Sequence, residues 1–428
     1  MGSKIAYIVS RFPKISETFI LYEMQALSEL GTEIELFPLV RHHEPVMHAE
    51  ARDWVQRAHY EQWYSMTVIL SQIYWLMHAP LGYFALWRDV LWAHRHNPKF
   101  LSRSALTVWL AGGMARAMLA LEIEHIHAHW ATHATTAAYA VHCLSGISYS
   151  FTAHAHDIYV DRSMLAEKMR TAAFCVTISD YNRQLLDQRY GKELVKRLHV
   201  LHCGVDLDLF QPHAKRAPDP FTIITVAALE EKKGHRYLLE ACKLALQSGV
   251  EIQCEFIGDG PERTYLESQI IKLGLQDYVT LWGSQARTEV IKLLQRADLM
   301  VLPSICLASG KQEGIPVALM EALAIGLPVI ATDISGISEL VEHGKSGLLV
   351  PERDAVALAD AIIHLIQNPD LSSELGENGR RKILVDFNLE KNSKRLHELI
   401  IQHSRDGSAQ FGLFPNNRLK AHESEVER

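Results

Sequence analysis

An α/β architecture of two domains, each built on a parallel sheet, is what this sequence predicts, and three observations carry it. Strand-like and helix-like stretches alternate along the chain. Near the C-terminal half's centre, Ala297–Leu302 is an apolar run that ends at a Pro-Ser break. Val317–Ile325 is then a strong helix former stopped by Gly326 and Pro328, and Val329–Thr332 is the next strand. Strand, loop, helix, strand is one unit of a parallel sheet. The length of 428 residues favours two domains. Finally, 211–220, with Pro212, Pro218 and Pro220, reads as a linker between them.

Composition narrows the class. Hydrophobic residues make up 48% and charged residues 22%, values of an ordinary globular protein. The net charge is −7 with no basic block, so nucleic acid is not an expected partner. The six cysteines (Cys143, Cys175, Cys203, Cys242, Cys254, Cys306) form no CxxC pair, which fits reduced thiols and a cytoplasmic setting. A strand follows the first residues directly, so no signal peptide is expected. The apolar run Met66–Leu81 carries Gln72, His78 and Pro80 and falls short of the about 20 apolar residues that span a bilayer.

Taken in order, Lys4–Val9 is the first strand. Ser16 suits the N-cap of a helix over Glu17–Leu30, which Gly31 ends, and Glu33–Val40 is the second strand. Residues 51–120 hold six of the eight tryptophans together with Arg88, His94, Arg95 and His96, and read as two or three amphipathic helices. Such helices either pack as core beside an acceptor groove or lie in a membrane interface, making peripheral membrane contact an open expectation. Ile123–Trp130 is a strand that places His125, His127 and His129 on one face, a set able to bind zinc by residue type. Phe151–Asp157 is another strand end, Cys175–Ser179 a further strand, and Asp180–Tyr190 a helix. The second domain opens with the strand Phe221–Val226. A loop and Gly234 lead into a helix over His235–Gln247. Val279–Gly283 is a short strand, 354–367 a helix, and helices continue from 371 to 403. Residues 405–428 lack an apolar period and are expected to be disordered.

The chemistry concentrates in Pro303–Val350. The helix that starts after Pro316 points its first backbone N–H groups at the preceding loop, where its dipole favours an anion. Pro316 suits that first turn, and Gly314 lets the backbone approach a ligand. Glu313 on the loop and Glu321 on the helix flank this mouth, and carboxylates accept hydrogen bonds from vicinal hydroxyls. A phosphate held at the helix mouth, with sugar hydroxyls on either side, is the ligand such a layout suits.

This stretch resembles the signature of the retaining glycosyltransferases of family 4, which have the GT-B fold. The matching residues are Glu313-Gly314-x-Pro316-x4-Glu321-Ala322, then Gly326-x-Pro328-Val329-x-Ala331-Thr332, then Gly336-x2-Glu339 and Gly344-x2-Gly347-Leu348-Leu349-Val350. Phe12-Pro13-x2-Ser16-Glu17-Thr18-Phe19 resembles a branch acting in bacterial exopolysaccharide and colanic-acid assembly. The likeness covers nearly the whole chain and is strongest from 220 to 370.

The resemblance implies two Rossmann-like domains facing a central cleft. The first is an acceptor-side domain, 1–210, and the second a nucleotide-sugar domain, 221–385. A crossover helix, 386–404, returns to the first. It implies transfer of a sugar from a UDP- or GDP-linked donor to a hydroxyl of a glycan or lipid-linked acceptor. The anomeric configuration is retained, and neither metal nor other cofactor takes part. By position, Lys233 and the backbone of Gly314, Ile315 and Val317 stabilise the diphosphate, Gly258 and Gly260 form a turn near the nucleotide, and Glu321 holds the ribose. Glu313 and His154 hold the donor sugar, and Ser16 and Glu17 face the acceptor. Glu17 and His154 also have plain readings, a charge on a helix dipole and a core histidine. Two departures and one chance likeness stand out. Lys14 and Ile15 replace the usual two glycines before Glu17. Ala228 stands where the family has an arginine five residues before the Lys233 position, and Lys232 or Arg236 are the available substitutes. Asp206-x-Asp208 imitates a metal motif of a different glycosyltransferase fold, but lies in a phrase typical of the exit from the first domain. The missing arginine also motivates a second reading, a non-catalytic sugar-nucleotide-binding or scaffold subunit.

Overall fold

The computed structural model describes residues 3–14, 17–42, 50–212 and 220–407. The first half contains β1 (Lys4–Phe12), α1 (Thr18–Glu29), β2 (Glu33–Arg41), α2 (Ala51–Arg57), α3 (Met66–His78), α4 (Pro80–His94) and α5 (Pro98–Ala120). It continues with β3 (His125–His129), α6 (His133–Ser145), β4 (Ser148–Ala153), α7 (Ala155–Tyr159), α8 (Leu165–Thr171), β5 (Phe174–Thr177), α9 (Asp180–Tyr190), α10 (Lys192–Val195) and β6 (Leu198–Val200). The second half begins with β7 (Phe221–Val226), a 3₁₀ turn (Glu231–Lys233), α11 (His235–Gln247), β8 (Ile252–Ile257), α12 (Arg263–Leu273), β9 (Val279–Gly283) and α13 (Arg287–Arg296). Then come β10 (Leu299–Leu302), α14 (Val317–Ala324), β11 (Val329–Thr332), α15 (Ile337–Leu340), β12 (Leu348–Val350), α16 (Ala355–Gln367), α17 (Pro369–Asp386) and α18 (Leu389–Gly407).

The strands form two six-stranded sheets, ordered β2-β1-β3-β4-β5-β6 and β12-β11-β10-β7-β8-β9. Their pairings are parallel throughout. Helices cover both faces of such a sheet, so its inner strands are apolar on both sides. Every residue of β10 and β11 is accordingly buried.

Three expectations change. α1 starts at Thr18, and Glu17 occupies its N-cap position without a side-chain capping bond; Ser16 lies outside the described residues. Residues 51–120 form four helices rather than two or three, because Pro80 and Pro98 each open a new one. Their tryptophans split: Trp54 and Trp75 are core, whereas Trp63 and Trp92 are exposed. The last helix runs to Gly407, past the point where disorder was expected; 408–428 lie outside the described residues.

α18 ties the halves together. Leu396 and Ile400 sit in the apolar cluster of the first half with Ile20, Leu21 and Val176. At its start the chain passes directly over the exit from the first half. Val205 donates to Phe387 O at 2.8 Å, and Leu389 donates to Val205 O at 3.2 Å. The His202 ring stacks on Phe387. Gly204 makes the crossing possible, since a Cβ there would lie 2.2 Å from Leu389 Cα. Gly204→Ala must therefore push two backbones apart. It should destabilise the fold by about 1–3 kcal/mol, as overpacking does, and urea denaturation gives the value directly.

Candidate active site

The site is assembled by loops at the carboxyl ends of the strands of both sheets, where open α/β sheets bind ligands. Three loops of the second half meet first. Ile305 N donates to Lys232 O at 2.8 Å, which pins the 3₁₀ turn to the loop after β10. Gly234 (φ +68°) is pressed so close to Pro303 that a Cβ would sit 1.9 Å from its carbonyl oxygen. Only glycine fits there. Ser335 Oγ donates to Glu313 O at 2.7 Å, holding the loop before α14 from the other side.

This framework brings Glu313 between two ammonium groups, Lys233 Nζ at 3.0 Å and Lys232 Nζ at 3.1 Å. Burial pushes the Glu313 carboxyl up, but Lys233 and Lys232 outweigh it and bring it down to about 2. Glu321 lies on the inner side of α14 and behaves in the opposite way. Burial raises its carboxyl to about 7, and the Arg287 guanidinium opposes this only in part. Arg287 itself lies 3.8 Å over the Tyr22 ring of α1, so the first half closes this corner. At the mouth of α14, Pro316 is the N-cap residue, and the Val317 and Ala318 amides that follow it have no partner inside the helix.

The first half faces this cluster through β4 and α9. Gly314 packs against Ala155 and Ile178; a Cβ would come within 3.3 and 2.9 Å of their side chains. His154, beside Ala155, is buried, with its ring against Phe19 and Trp130. Its Nε2 lies 3.2 Å from His129 Nδ1, and His129 Nε2 lies 2.7 Å from Glu23 Oε1. Burial and the neighbouring His129 lower the His154 imidazole to about 3, so it is neutral. Glu339, at the end of the family-like motif, reaches across the cleft. Its two oxygens accept from Asp180 N at 2.8 Å and Tyr181 N at 2.7 Å, at the start of α9. Beside these contacts opens a cleft of about 460 Å³ lined by Tyr159, Arg162, Tyr181, Arg189, Cys306 and Gln312.

Other candidates fall differently. Gly258 and Gly260 pack on the chain itself. Cβ atoms would lie 2.0 Å from Ala227 O and 2.5 Å from Leu229 O, so their close approach is to the loop after β7. The Ile315 side chain is core, leaving only its backbone to face the mouth. Glu17 is paired with Lys14 at 2.6 Å, one residue from Thr18 at the start of α1. Ala228 is exposed. Of its substitutes Lys232 is inside the cluster, whereas Arg236 is bonded to Tyr237.

The aligned histidines are engaged in a ladder. His125 binds Ser148 and Ser150, and His127 binds Ser150 and Thr152, through both ring nitrogens. Glu23, His127 and His129 offer ligand atoms within 4.8 Å of one another, but each is already hydrogen-bonded to protein partners. Asp206 Oδ1 accepts from Asp208 N and Leu209 N, a turn-capping role. Sequence reasoning gave no role to Glu339, Ser335 or Arg287. Glu339 lay within the quoted motif, whereas nothing local marks Arg287, which acts through tertiary contact.

Comparison with known proteins establishes the family and the fold. The description "Glycosyltransferase Family 4" matches residues 16–209, and "Glycosyl transferases group 1" matches 208–382. The provisionally named colanic acid biosynthesis glycosyltransferase WcaL of Escherichia coli (strain K12) is 32% identical over 422 residues, covering 93% of this chain and 99% of that protein. The amylovoran biosynthesis glycosyltransferase AmsK of Erwinia amylovora is 37% identical over 206 residues, 48% of this chain and 51% of AmsK. The crystal structure of Anabaena HepE in complex with UDP superposes with a TM-score of 0.69 at 17% identity, covering 94% of this chain and all of that one. Two parallel α/β domains meeting at such a cleft define a GT-B glycosyltransferase. The chain belongs to glycosyltransferase family 4.

The two glutamates should titrate with opposite consequences for stability. Glu313, depressed to about 2 from an ordinary 4.5, stabilises the fold above pH 4.5, and that contribution is lost as pH falls toward 2. Glu321, raised to about 7, stabilises the fold below pH 4.5, and that contribution is lost as pH rises through 7. Relative to wild type, Glu313→Gln should therefore lose most melting temperature near neutrality and least at pH 3. Glu321→Gln should gain as pH rises from 5 to 8. Thermal denaturation of the three proteins across pH checks both signs.

Proposed function

We propose that the enzyme transfers a sugar, with retention of anomeric configuration, from a UDP- or GDP-linked donor to a hydroxyl of a glycan or lipid-linked acceptor in exopolysaccharide biosynthesis. The observation that carries this is the Glu313 carboxylate poised between Lys232 and Lys233 beside the mouth of α14. The names of WcaL and AmsK support the exopolysaccharide setting. The UDP bound to HepE supports a nucleotide diphosphate in the cleft.

In this reading the donor diphosphate competes with Glu313 for the two ammonium groups and lies at the open amides of α14. These charges offset the negative charge that grows on the leaving diphosphate. Lys232 takes the place of the arginine missing at position 228. Glu313, freed from its ion pairs, accepts hydrogen bonds from the donor sugar, and Glu321 accepts from the ribose diol. His154 lines the sugar pocket from the first half. Glu17, and with it Ser16, lies on the acceptor side.

The bond from C1 to the diphosphate oxygen breaks, and the bond from C1 to the acceptor oxygen forms on the same face. The hydroxyl proton passes to the departing diphosphate. The His154 imidazole, near 3, is a weak base, and Glu313 is occupied by the sugar, which leaves the diphosphate oxygen to take the proton. No protein ligand set is needed for a metal in this scheme.

The non-catalytic alternative rests on Ala228, and Lys232 inside the cluster answers it. Glu313→Gln and Lys233→Ala should each lower turnover about ten- to a thousandfold, as loss of one charge-stabilising group does; activity within twofold of wild type would remove the assigned role. Lys232→Ala should weaken nucleoside diphosphate binding, and adding Ala228→Arg should restore it. A thermal-shift panel of UDP, GDP and their sugars in EDTA reads both effects. Stabilisation by one nucleotide, unchanged by EDTA, supports a metal-free transferase. Absence of any shift moves the assignment to the scaffold reading.

A further inference from the structure

Helices α3 and α4 are apolar on the wrong side. Their inner faces are satisfied. Val68, Ser71, Gln72 and Trp75 of α3 are buried, and Trp75 Nε1 donates to Gly112 O of α5 at 2.8 Å. Leu86 and Val90 of α4 join the same core. Yet the faces turned away from α5 are apolar as well. On α3, Met66, Leu70, Ile73 and Met77 recur at helical spacing and are exposed. On α4 the exposed row is Leu81, Phe84, Arg88, Leu91 and Trp92. The most open are Leu81 at 86% exposure, Met77 at 71% and Trp92 at 67%. A helix that is apolar all round belongs in a core or a bilayer interface, and a contiguous surface patch of this kind marks a contact site.

Charge identifies the occupant. The whole chain carries −7, which repels an anionic surface. Residues 63–106 reverse that balance with Arg88, Arg95, Lys99 and Arg103 against a single acid, Asp89, which is half-buried and paired with Arg88 at 2.8 Å. Arg95 lies 4.0 Å over the exposed Trp92 ring, so cation and aromatic ring share one position. A second copy of the chain would set these cations against their own images, whereas anionic headgroups neutralise them. Among the described residues no helix is long and apolar enough to cross a membrane, so the patch suits lying on one.

We propose that the outer face of α3 and α4 docks on an anionic bilayer, with Met77, Leu81, Phe84 and Trp92 entering the headgroup boundary and Arg88 and Arg95 at the phosphates. The C-terminal end of α4 reaches the wall of the cleft. His94, the last residue of α4, hydrogen-bonds Ser163, the next residue after Arg162, which lines the cleft wall. Docking there would bring an acceptor carried by lipid to the active site, although the argument for the surface does not depend on the donor chemistry.

Vesicle flotation of the full chain tests it, with phosphatidylcholine alone against equal parts of phosphatidylcholine and phosphatidylglycerol. Wild type should float with the anionic vesicles and lose binding as salt rises. Met77→Glu/Leu81→Glu/Phe84→Glu and, separately, Arg88→Glu/Arg95→Glu should each lower partitioning by about tenfold or more. Their melting temperatures and nucleotide-induced thermal shifts should match wild type, which separates lost docking from lost folding. The proposal is overturned if wild type stays in solution with both vesicle types, or if the variants float as wild type does. It is also overturned if light scattering finds a dimer that the triple variant dissolves into monomers.

Discussion

A single ionised carboxylate in a nearly dry position governs how the second half of the molecule is built. Glu313 is 7% exposed, and a lone carboxylate there would protonate. Two lysines keep it charged, and both come from a 3₁₀ turn that must be held against the loop after β10. That contact in turn requires a residue without a side chain at 234, because the Pro303 carbonyl fills the place of a Cβ. One electrostatic demand thus propagates into a backbone constraint two loops away. Lys233 pairs with Glu313, Lys232 is shared between Glu313 and Glu230, and an anion arriving at the mouth of α14 would compete for both ammonium groups.

Glu321 shows the reverse economy. Its carboxyl is raised by burial with only partial relief from Arg287, so the empty fold carries it at a cost near neutral pH. Hydroxyl donors arriving with a ligand would supply what the protein withholds. A neighbouring pair with one group strongly stabilised and the other left wanting is what separates roles between two otherwise identical side chains. The histidines of β3 illustrate a contrasting case. Most of their nitrogens bond to Ser and Thr hydroxyls, and burial lowers His125, with His127 down at about 3. Their alternation suggested metal ligands by residue type, but the facing strand supplies hydrogen-bond partners instead.

Much of this was legible in the chain. Asp180–Tyr190, His235–Gln247 and Val279–Gly283 begin and end where their sequence signals place them, because a Ser cap, a Gly stop or a β-branched run acts locally. Family position implied that Glu313 and Lys233 both serve the donor, yet it did not imply that they pair with each other. Gly258 and Gly260 show why. The residues advertise close backbone approach, but only the fold tells that the approaching backbone is Ala227–Leu229. Arg287 carried no local signal at all, since its role depends on Tyr22 and Phe210, both remote in sequence. The helices of 51–120 number four rather than two or three, since Pro80 and Pro98 each start a new one.

The two halves grip each other unequally, and this bears on how a ligand enters. At the rear, α18 buries Leu396 and Ile400 in the first half's core, and backbone bonds join Val205 to the segment around Asn388. At the mouth, the polar link is Glu339 on the first two amides of α9. Charge-assisted bonds of this kind are worth about 1.5–3 kcal/mol each, and water can replace them at an open edge. A buried apolar seam has no such substitute. Ser335, whose hydroxyl fixes the Glu313 carbonyl, lies just before α15, which carries Glu339. Residues 335–339 therefore both close the mouth and support the backbone of the carboxylate.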